Sequence, residues 1–199
     1  MQGLKCQYQN NPCKVKPCKF IKDEYLEPCG LFSFLNAIKK ELSVYPKEKA
    51  LIRDLRADYV KAWNDNKDSR AKGKATGTAF EKWIKKQIKQ KSEKGKVSFS
   101  FGEFAIDLAM PSIKNPRVIL EVKVYTDTQH TLALGGLLNY SPENRKLCLV
   151  TFYEPADVEY KILRDFKEAY KNRFNYFIME RGWSNSIRRL NEFCGARHS

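Results

Sequence analysis

Two short apolar runs lie in the middle of the chain, at residues 104–110 and 117–125, and both are rich in isoleucine, valine and leucine. Pro111, Asn115 and Pro116 stand between them. Turn-forming residues between two such runs predict a pair of β-strands joined by a turn. We therefore expect a β-hairpin at the centre of the chain.

Further strands and helices are predicted on both sides of this hairpin. Apolar and polar residues alternate at 97–101, and the continuous apolar run at 146–152 is typical of a strand buried on both faces. Apolar residues three or four positions apart predict helices, at residues 31–42, 46–63, 79–91, 126–140 and 157–179 and in a short segment near the C-terminus. This order predicts an α/β fold with a central mixed β-sheet, flanking α-helices and a helical N-terminal part.

Polar and glycine-containing segments predict the breaks between these elements. Residues 64–74 are rich in Asp, Asn, Gly and Lys, which is typical of an exposed loop. Thr76 or Thr78 can cap the helix that follows. Residues 94–96 read Lys-Gly-Lys and predict a turn, and Gly102 predicts a bend or bulge before the next strand.

The charge of the chain favours a polyanionic partner. Its 199 residues can bury a proper core, and 42% of them are hydrophobic, an ordinary share for a globular domain. However, 37 Lys and Arg against 23 Asp and Glu leave a net charge of +14, which favours nucleic acid as a partner. No apolar run is long enough to span a bilayer, and the first residues do not resemble a secretory signal. We therefore expect a cytoplasmic, nucleoid-associated protein without a membrane partner.

Four of the six cysteines lie within the first thirty residues: Cys6, Cys13, Cys18 and Cys29. In a reducing compartment such a cluster is more often bound to zinc than joined in disulfides, although the spacings lack the short knuckle of standard zinc modules. A structural Zn²⁺ site, free thiols in a basic arm, and one or two disulfides remain open alternatives. Cys148 and Cys194 are predicted to be small apolar core residues.

Three charged residues interrupt the two central apolar runs: Asp107 in the first, Glu121 and Lys123 in the second. A spacing of two on a strand points both side chains to the same face. Burying these charges costs several kcal/mol unless they pair or bind a cation. Two carboxylates suffice for a Mg²⁺ that keeps most of its waters, and a nearby lysine can hold a water or stabilise charge at a phosphate. The alternative is a solvated strand edge without a chemical role.

Asp107, thirteen intervening residues and then Glu121-Val122-Lys123 resemble the motif of the PD-(D/E)XK nuclease superfamily, although Ile106 stands where that motif has proline. The resemblance implies a restriction-endonuclease-like fold and a Mg²⁺ site, in which Mn²⁺ can substitute, formed by Asp107, Glu121 and the main-chain oxygen of Val122. It also implies that Glu81 on the preceding helix joins the site; alternatively, Glu81 only complements the N-terminus of its helix. Lys123 would orient or deprotonate the attacking water, or stabilise developing charge.

The function implied by this resemblance is that of a metal-dependent endonuclease, above all a sequence-specific type II restriction endonuclease acting on double-stranded DNA as a homodimer. A structure-specific, homing or repair nuclease of the same fold is one alternative, and a non-catalytic nucleic-acid-binding protein is another. We divide the chain into a cysteine-rich basic arm at 1–30, a helical segment at 31–75 and the nuclease core at 76–199, within one compact domain.

Polar and basic residues outside the motif are candidates for contacts with DNA. Gln129 and His130 begin the helix that follows the hairpin; for His130 we favour the alternative of a plain surface or core histidine. The basic candidates are commonly solvated in proteins and carry no sequence specificity by themselves: Arg70, Lys72, Lys74, Arg188 and Arg189.

Overall fold

The computed structural model describes residues 46–66, 69–100, 102–124, 126–179 and 182–195. The chain forms two compact units, Met1–Trp83 and Ile84–Ser199. The four N-terminal cysteines and the predicted helix at 31–42 lie outside the described residues. The described helices include none that is both long and apolar enough to cross a membrane.

Helix α1 spans Pro46–Asn64, as its apolar spacing predicts. Proline suits the first position of a helix because it lacks an N–H that would have no partner there. The buried side chains recur at intervals of three or four along one face of the helix: Ile52, Leu55, Tyr59 and Trp63.

Helix α2 spans Ser69–Gln87 and includes the division between the two units. The predicted loop at 64–74 is therefore wrong over its second half. Thr76 is buried within the helix and its hydroxyl donates to the carbonyl of Gly73, so neither Thr76 nor Thr78 is an N-cap. Each helical glycine costs about 1 kcal/mol relative to alanine. Burial of the apolar face that includes Phe80 and Trp83 offsets this cost.

A five-stranded mixed sheet in the order β1-β2-β3-β4-β5 forms the centre of the second unit. Its strands are Glu93–Phe99, Gly102–Met110, Val118–Lys123, Lys146–Thr151 and Phe174–Ile178. The first three strands pair antiparallel, and β3, β4 and β5 pair parallel. The predicted α/β class with a central mixed sheet and the hairpin of β2 and β3 are confirmed.

Strand β1 begins earlier than predicted, because residues 94–96 pair with β2 instead of forming a turn. The edge of β2 offers hydrogen-bonding groups that a turn would leave without partners. Gly95 permits a close approach of the β2–β3 connection: a Cβ added there would lie 3.2 Å from Cδ1 of Ile113. Gly102 has φ of 147° at the start of β2, which confirms the predicted bend.

Three helices complete the second unit: α3 at Thr128–Tyr140, α4 at Asp157–Tyr170 and α5 at Trp183–Phe193. The predicted helix at 157–179 is wrong beyond residue 170. A short 3₁₀ turn, Lys171–Arg173, leads into β5, and Lys171 has φ of 39°, which ends the helical path. The aromatic and β-branched residues of β5 pair with the otherwise open edge of β4, where their bulk packs well.

Helices α3 and α4 cover one face of the sheet. Ile119, Leu147 and Leu149 form a single hydrophobic cluster with Leu134 and Leu163, one from each helix. Cys148 alternates with its neighbours and therefore points to the other face. Its thiol lies close to Cys194, just after α5, and burial raises the pKa of both thiols. Both cysteines are buried, as predicted.

We predict opposite effects from alanine at two adjacent glycines of α3. A Cβ on Gly135 would lie 2.5 Å from Cζ of Phe166, whereas a Cβ on Gly136 meets nothing within 4 Å. Gly135→Ala should lower the free energy of unfolding by about 1–3 kcal/mol through overpacking. Gly136→Ala should raise it by about 0.5–1 kcal/mol through helix propensity. Urea unfolding followed by circular dichroism measures both, and equal effects would contradict the packing of α3 on α4.

Candidate active site

The two central strands bring Asp107, Glu121 and Lys123 together. Strands β2 and β3 pair through Leu108 and Leu120, so Asp107 on one strand and Glu121 on the other are neighbours in the same register. Lys123 shares the face of Glu121 because strand side chains alternate with a period of two. The predicted convergence of these three residues on one face of the hairpin is therefore present in the structure.

The ammonium group of Lys123 joins the two carboxylates. Its Nζ donates to Oδ2 of Asp107 at 2.9 Å and lies 3.2 Å from Oε2 of Glu121. Oδ2 of Asp107 also accepts the main-chain N–H of Val122 at 2.9 Å. The side chains are 18%, 13% and 29% exposed for Asp107, Glu121 and Lys123. We call these three residues the carboxylate–lysine cluster.

Burial and charge set the protonation of this cluster. Burial raises the pKa of Glu121 to about 7, and the nearby charge of Asp107 acts in the same direction, against the opposing effect of Lys123. For Lys123 burial acts to lower the pKa, but the attraction of Glu121 and Asp107 outweighs it, and the pKa is raised. Lys123 is thus a stable ammonium group here, which disfavours a role as general base.

The two carboxylates of the cluster lie close to each other as well as to Lys123. Oδ2 of Asp107 and Oε2 of Glu121 contact Lys123, and the two carboxyl groups are also within hydrogen-bonding reach of each other, which raises the pKa of Glu121. Within those residues, no group of three or more His, Cys, Asp or Glu side chains gathers in one place. The donors that the cluster offers to a cation are therefore two adjacent carboxylates, whose hard oxygens suit Mg²⁺ with its waters retained.

Glu81 lies on α2 in the first unit, whereas the carboxylate–lysine cluster belongs to the second. Its participation in a metal site stays a prediction, as does the use of the main-chain oxygen of Val122. Arg70 and Lys74 are exposed on the same helix as Glu81, and only the backbone of Lys72 is described. The cysteine cluster lies outside the described residues.

The start of α3 holds Gln129 and His130, both exposed. Asp127 caps this helix by accepting the main-chain N–H of His130 at 2.8 Å, and this hydrogen bond lowers the pKa of the Asp127 carboxyl. Nδ1 of His130 also lies 2.9 Å from Oδ2 of Asp127. His130 is therefore engaged with the cap of its own helix.

Two buried polar residues, Glu159 and Thr151, were not among the predicted site residues. Glu159 contacts the start of α3, and Thr151 pairs with Lys123 in the sheet. Glu159 is 7% exposed, accepts the hydroxyl of Thr128 at 2.5 Å through Oε1, and leaves Oε2 buried without a partner. Thr151 pairs with Lys123 in the sheet, and its hydroxyl is buried without a partner. Thr151 could have been noticed as the polar residue in an apolar strand, whereas no sequence signal separates Glu159 from other helical glutamates.

The two C-terminal arginines make contacts within the second unit. Arg188 pairs with Glu192 at 2.5 Å and donates to Asn185 at 2.8 Å. The guanidinium of Arg189 lies 6.0 Å from the ring centre of Phe177. Both side chains are exposed, so these contacts leave their predicted role in DNA binding open.

Comparison with known proteins provides no relative: no family model, curated protein or solved structure matches the chain.

We predict that neutralising the two carboxylates changes stability in opposite directions. In metal-free buffer at pH 8, Glu121→Gln should raise the free energy of unfolding by about 1–3 kcal/mol, because the folded protein holds the ionised carboxylate unfavourably. Asp107→Asn should lower it by about 1–3 kcal/mol, because Oδ2 accepts from both Val122 and Lys123.

The effect of Glu121→Gln depends on pH in a defined direction. The pKa of Glu121 is about 7 in the folded protein, above the ordinary value of 4.5. Its protonation therefore contributes to the free energy of unfolding in full below pH 4.5, and this contribution is lost as the pH rises through 7. The gain from the substitution should therefore shrink toward zero at pH 5. Urea unfolding at both pH values measures it, and a destabilised Glu121→Gln at pH 8 would contradict the electrostatics of the cluster.

Proposed function

We propose that this protein is a metal-dependent nuclease that hydrolyses phosphodiester bonds. The observation that carries the proposal is the carboxylate–lysine cluster, in which two carboxylates and an ammonium group meet on adjacent strands, partly shielded from water. A structural ion pair needs one carboxylate for one ammonium group. Here the second carboxylate, Glu121, is held at a cost that its raised pKa reflects.

The residues present suit a divalent cation. Asp107 and Glu121 lie close enough for each to raise the energy of the other's negative charge, and a hard cation would offset this repulsion. These two side chains would hold Mg²⁺ or Mn²⁺, with the main-chain oxygen of Val122 and the carboxylate of Glu81 as the further donors that the family resemblance implies. When bound, such an ion neutralises phosphate charge and makes water a better nucleophile.

Lys123 would stabilise charge during hydrolysis. A water oxygen bonds to phosphorus, the bond to the 3′ oxygen breaks, and negative charge grows on the phosphate oxygens between these events. A fixed ammonium group near those oxygens lowers the barrier without giving up a proton. Asp107 and Glu121 hold Nζ from two sides, which limits its freedom to reorient.

DNA is the proposed substrate, and a type II restriction endonuclease is the proposed class. A net charge of +14 favours a polyanion and adds affinity that weakens with salt. One site per chain cuts one strand, so cleavage of both strands would be achieved most simply by a two-fold dimer. Gln129 and His130 at the start of α3 are the proposed polar contacts to DNA. The location that we propose with this substrate is cytoplasmic and nucleoid-associated.

One observation favours a second candidate, a nucleic-acid-binding protein without catalysis. Lys123 already contacts both carboxylates, so the cluster can persist as an ion-paired network in the absence of a metal. Under this alternative the basic surface would bind nucleic acid, and the cluster would only tie β2 to β3 through the Asp107 carboxylate and the N–H of Val122.

We predict that cleavage of supercoiled plasmid DNA with Mg²⁺ depends on the cluster. Asp107→Asn, Glu121→Gln and Lys123→Met should each reduce the cleavage rate on the order of 10²-fold or more, because each removes a charge that acts on the phosphate or its cation. Glu168→Gln, which removes an exposed carboxylate from α4, should cleave like the wild type.

The kind of DNA that the protein cleaves distinguishes between the proposed classes of nuclease. Discrete bands from a plasmid would support a restriction endonuclease, and cleavage of branched or damaged DNA alone would support another nuclease of the same fold. Binding of DNA without cleavage by folded wild-type protein, with either Mg²⁺ or Mn²⁺, would contradict the nuclease proposal and leave the second candidate.

A further inference from the structure

A basic groove lies on the second unit, away from the carboxylate–lysine cluster. It has a volume of about 210 Å³. Its lining comes from β1, the β2–β3 connection and the residue before β4, and includes Lys96, Ser98, Ile113, Lys114, Pro116 and Arg145. The lining contains three basic side chains and no carboxylate.

The guanidinium of Arg145 is fixed in position at this groove. Its Nε donates to the carbonyl of Pro116 at 3.2 Å, and the group lies 5.2 Å from the ring centre of Phe99. Nη1 is buried without a hydrogen-bond partner, and no described carboxylate pairs with this arginine. The positive charge of Arg145 is therefore oriented by the protein but not compensated within the described residues.

The two lysines add charge that is also uncompensated. Lys96 and Lys114 are exposed, and neither forms an ion pair with a described residue. Glu93, which accepts the N–H of Ile113 at 3.1 Å, pairs instead with Lys91. An anion in the groove would meet three cationic groups, those of Lys96, Lys114 and Arg145.

The size and polarity of the groove suit a phosphate group. A water molecule occupies about 30 Å³ in the liquid, so a phosphate fits with bridging waters to spare. The apolar lining of Val97, Ile113 and Pro116 supplies no donors, which leaves recognition to the basic groups and the hydroxyl of Ser98. These groups contact phosphate oxygens well but do not read bases.

We propose that this groove binds a backbone phosphate of DNA. This rests on the proposed function for the identity of the polymer, and it adds a contact outside the catalytic cluster. Pro116 precedes Glu121 by five residues, so an extended chain places them at most roughly 17 Å apart. A duplex rises about 3.4 Å per base pair, so the groove holds a phosphate within a few base pairs of the bond that is cut.

The test is DNA binding without metal, so that it does not depend on hydrolysis. Fluorescence anisotropy of a labelled duplex, in EDTA and over a series of salt concentrations, gives the slope of log affinity against log salt. Each lost phosphate contact reduces that slope by roughly 0.9. Lys96→Gln/Lys114→Gln should therefore make the slope less negative by up to roughly 0.9 and weaken binding at every salt concentration.

The matched control removes two exposed lysines elsewhere in the second unit. Lys161→Gln/Lys171→Gln changes the net charge equally but leaves the groove intact. The salt-dependence slope of this control variant should change by less than half as much as that of the groove variant. Equal changes in the two double variants, or a wild type that binds no DNA, would overturn the groove proposal.

Cleavage assays of the same proteins separate the two proposals. If the groove variants lose phosphate contacts while the wild type hydrolyses no DNA, the groove proposal stands and the nuclease proposal fails. If the wild type cleaves DNA and the groove variants bind like the control, the nuclease proposal stands and the groove proposal fails.

Discussion

The ammonium group of Lys123 lies between two carboxylates that would otherwise repel each other across adjacent strands. Asp107 uses one oxygen both for this contact and for the N–H of Val122, so the same atom ties the side-chain network to the backbone of β3. Glu121 completes the network from the neighbouring position of that strand. Removal of Lys123 would leave two carboxylates partly buried without compensation, whereas removal of Glu121 would leave Asp107 and Lys123 as a compensated pair.

The sheet positions this cluster and also isolates it from the basic groove. Ile119 packs in the core beneath α3 and α4, whereas Glu121 and Lys123 continue the same face of β3 towards its end. The groove lies instead beside the start of β3, where Pro116 contacts Arg145. One strand thus separates a site that concentrates negative charge from a surface that concentrates positive charge. The nuclease and groove proposals together have one polyanion contacting both sites, with a phosphate at the groove and the hydrolysed bond at the cluster.

The start of β1 and the whole of β5 are parts of the sheet that the local sequence does not predict. β1 extends through Gly95 because β2 offers an edge and because the absence of a side chain admits Ile113. β5 forms because the edge of β4 would otherwise be open, and its Phe174 packs in the core cluster. In both cases a segment with turn or helix character pairs with an available strand edge, which for β1 is the next strand and for β5 is a strand about 27 residues earlier.

The sequence by itself determined the α/β class, helix α1, the central hairpin, strand β4 and the convergence of Asp107, Glu121 and Lys123. These features depend on the periodicity of apolar residues and on the alternation of strand side chains, which are local properties. Only the tertiary structure decided that residues 69–74 are helical, that 174–178 form a strand, and that Glu159 and Thr151 are buried without full hydrogen bonding. The groove around Arg145 likewise joins three segments distant in the chain. Such features depend on which surfaces meet after folding, and the free energy of those contacts exceeds the local preferences from which a sequence is interpreted.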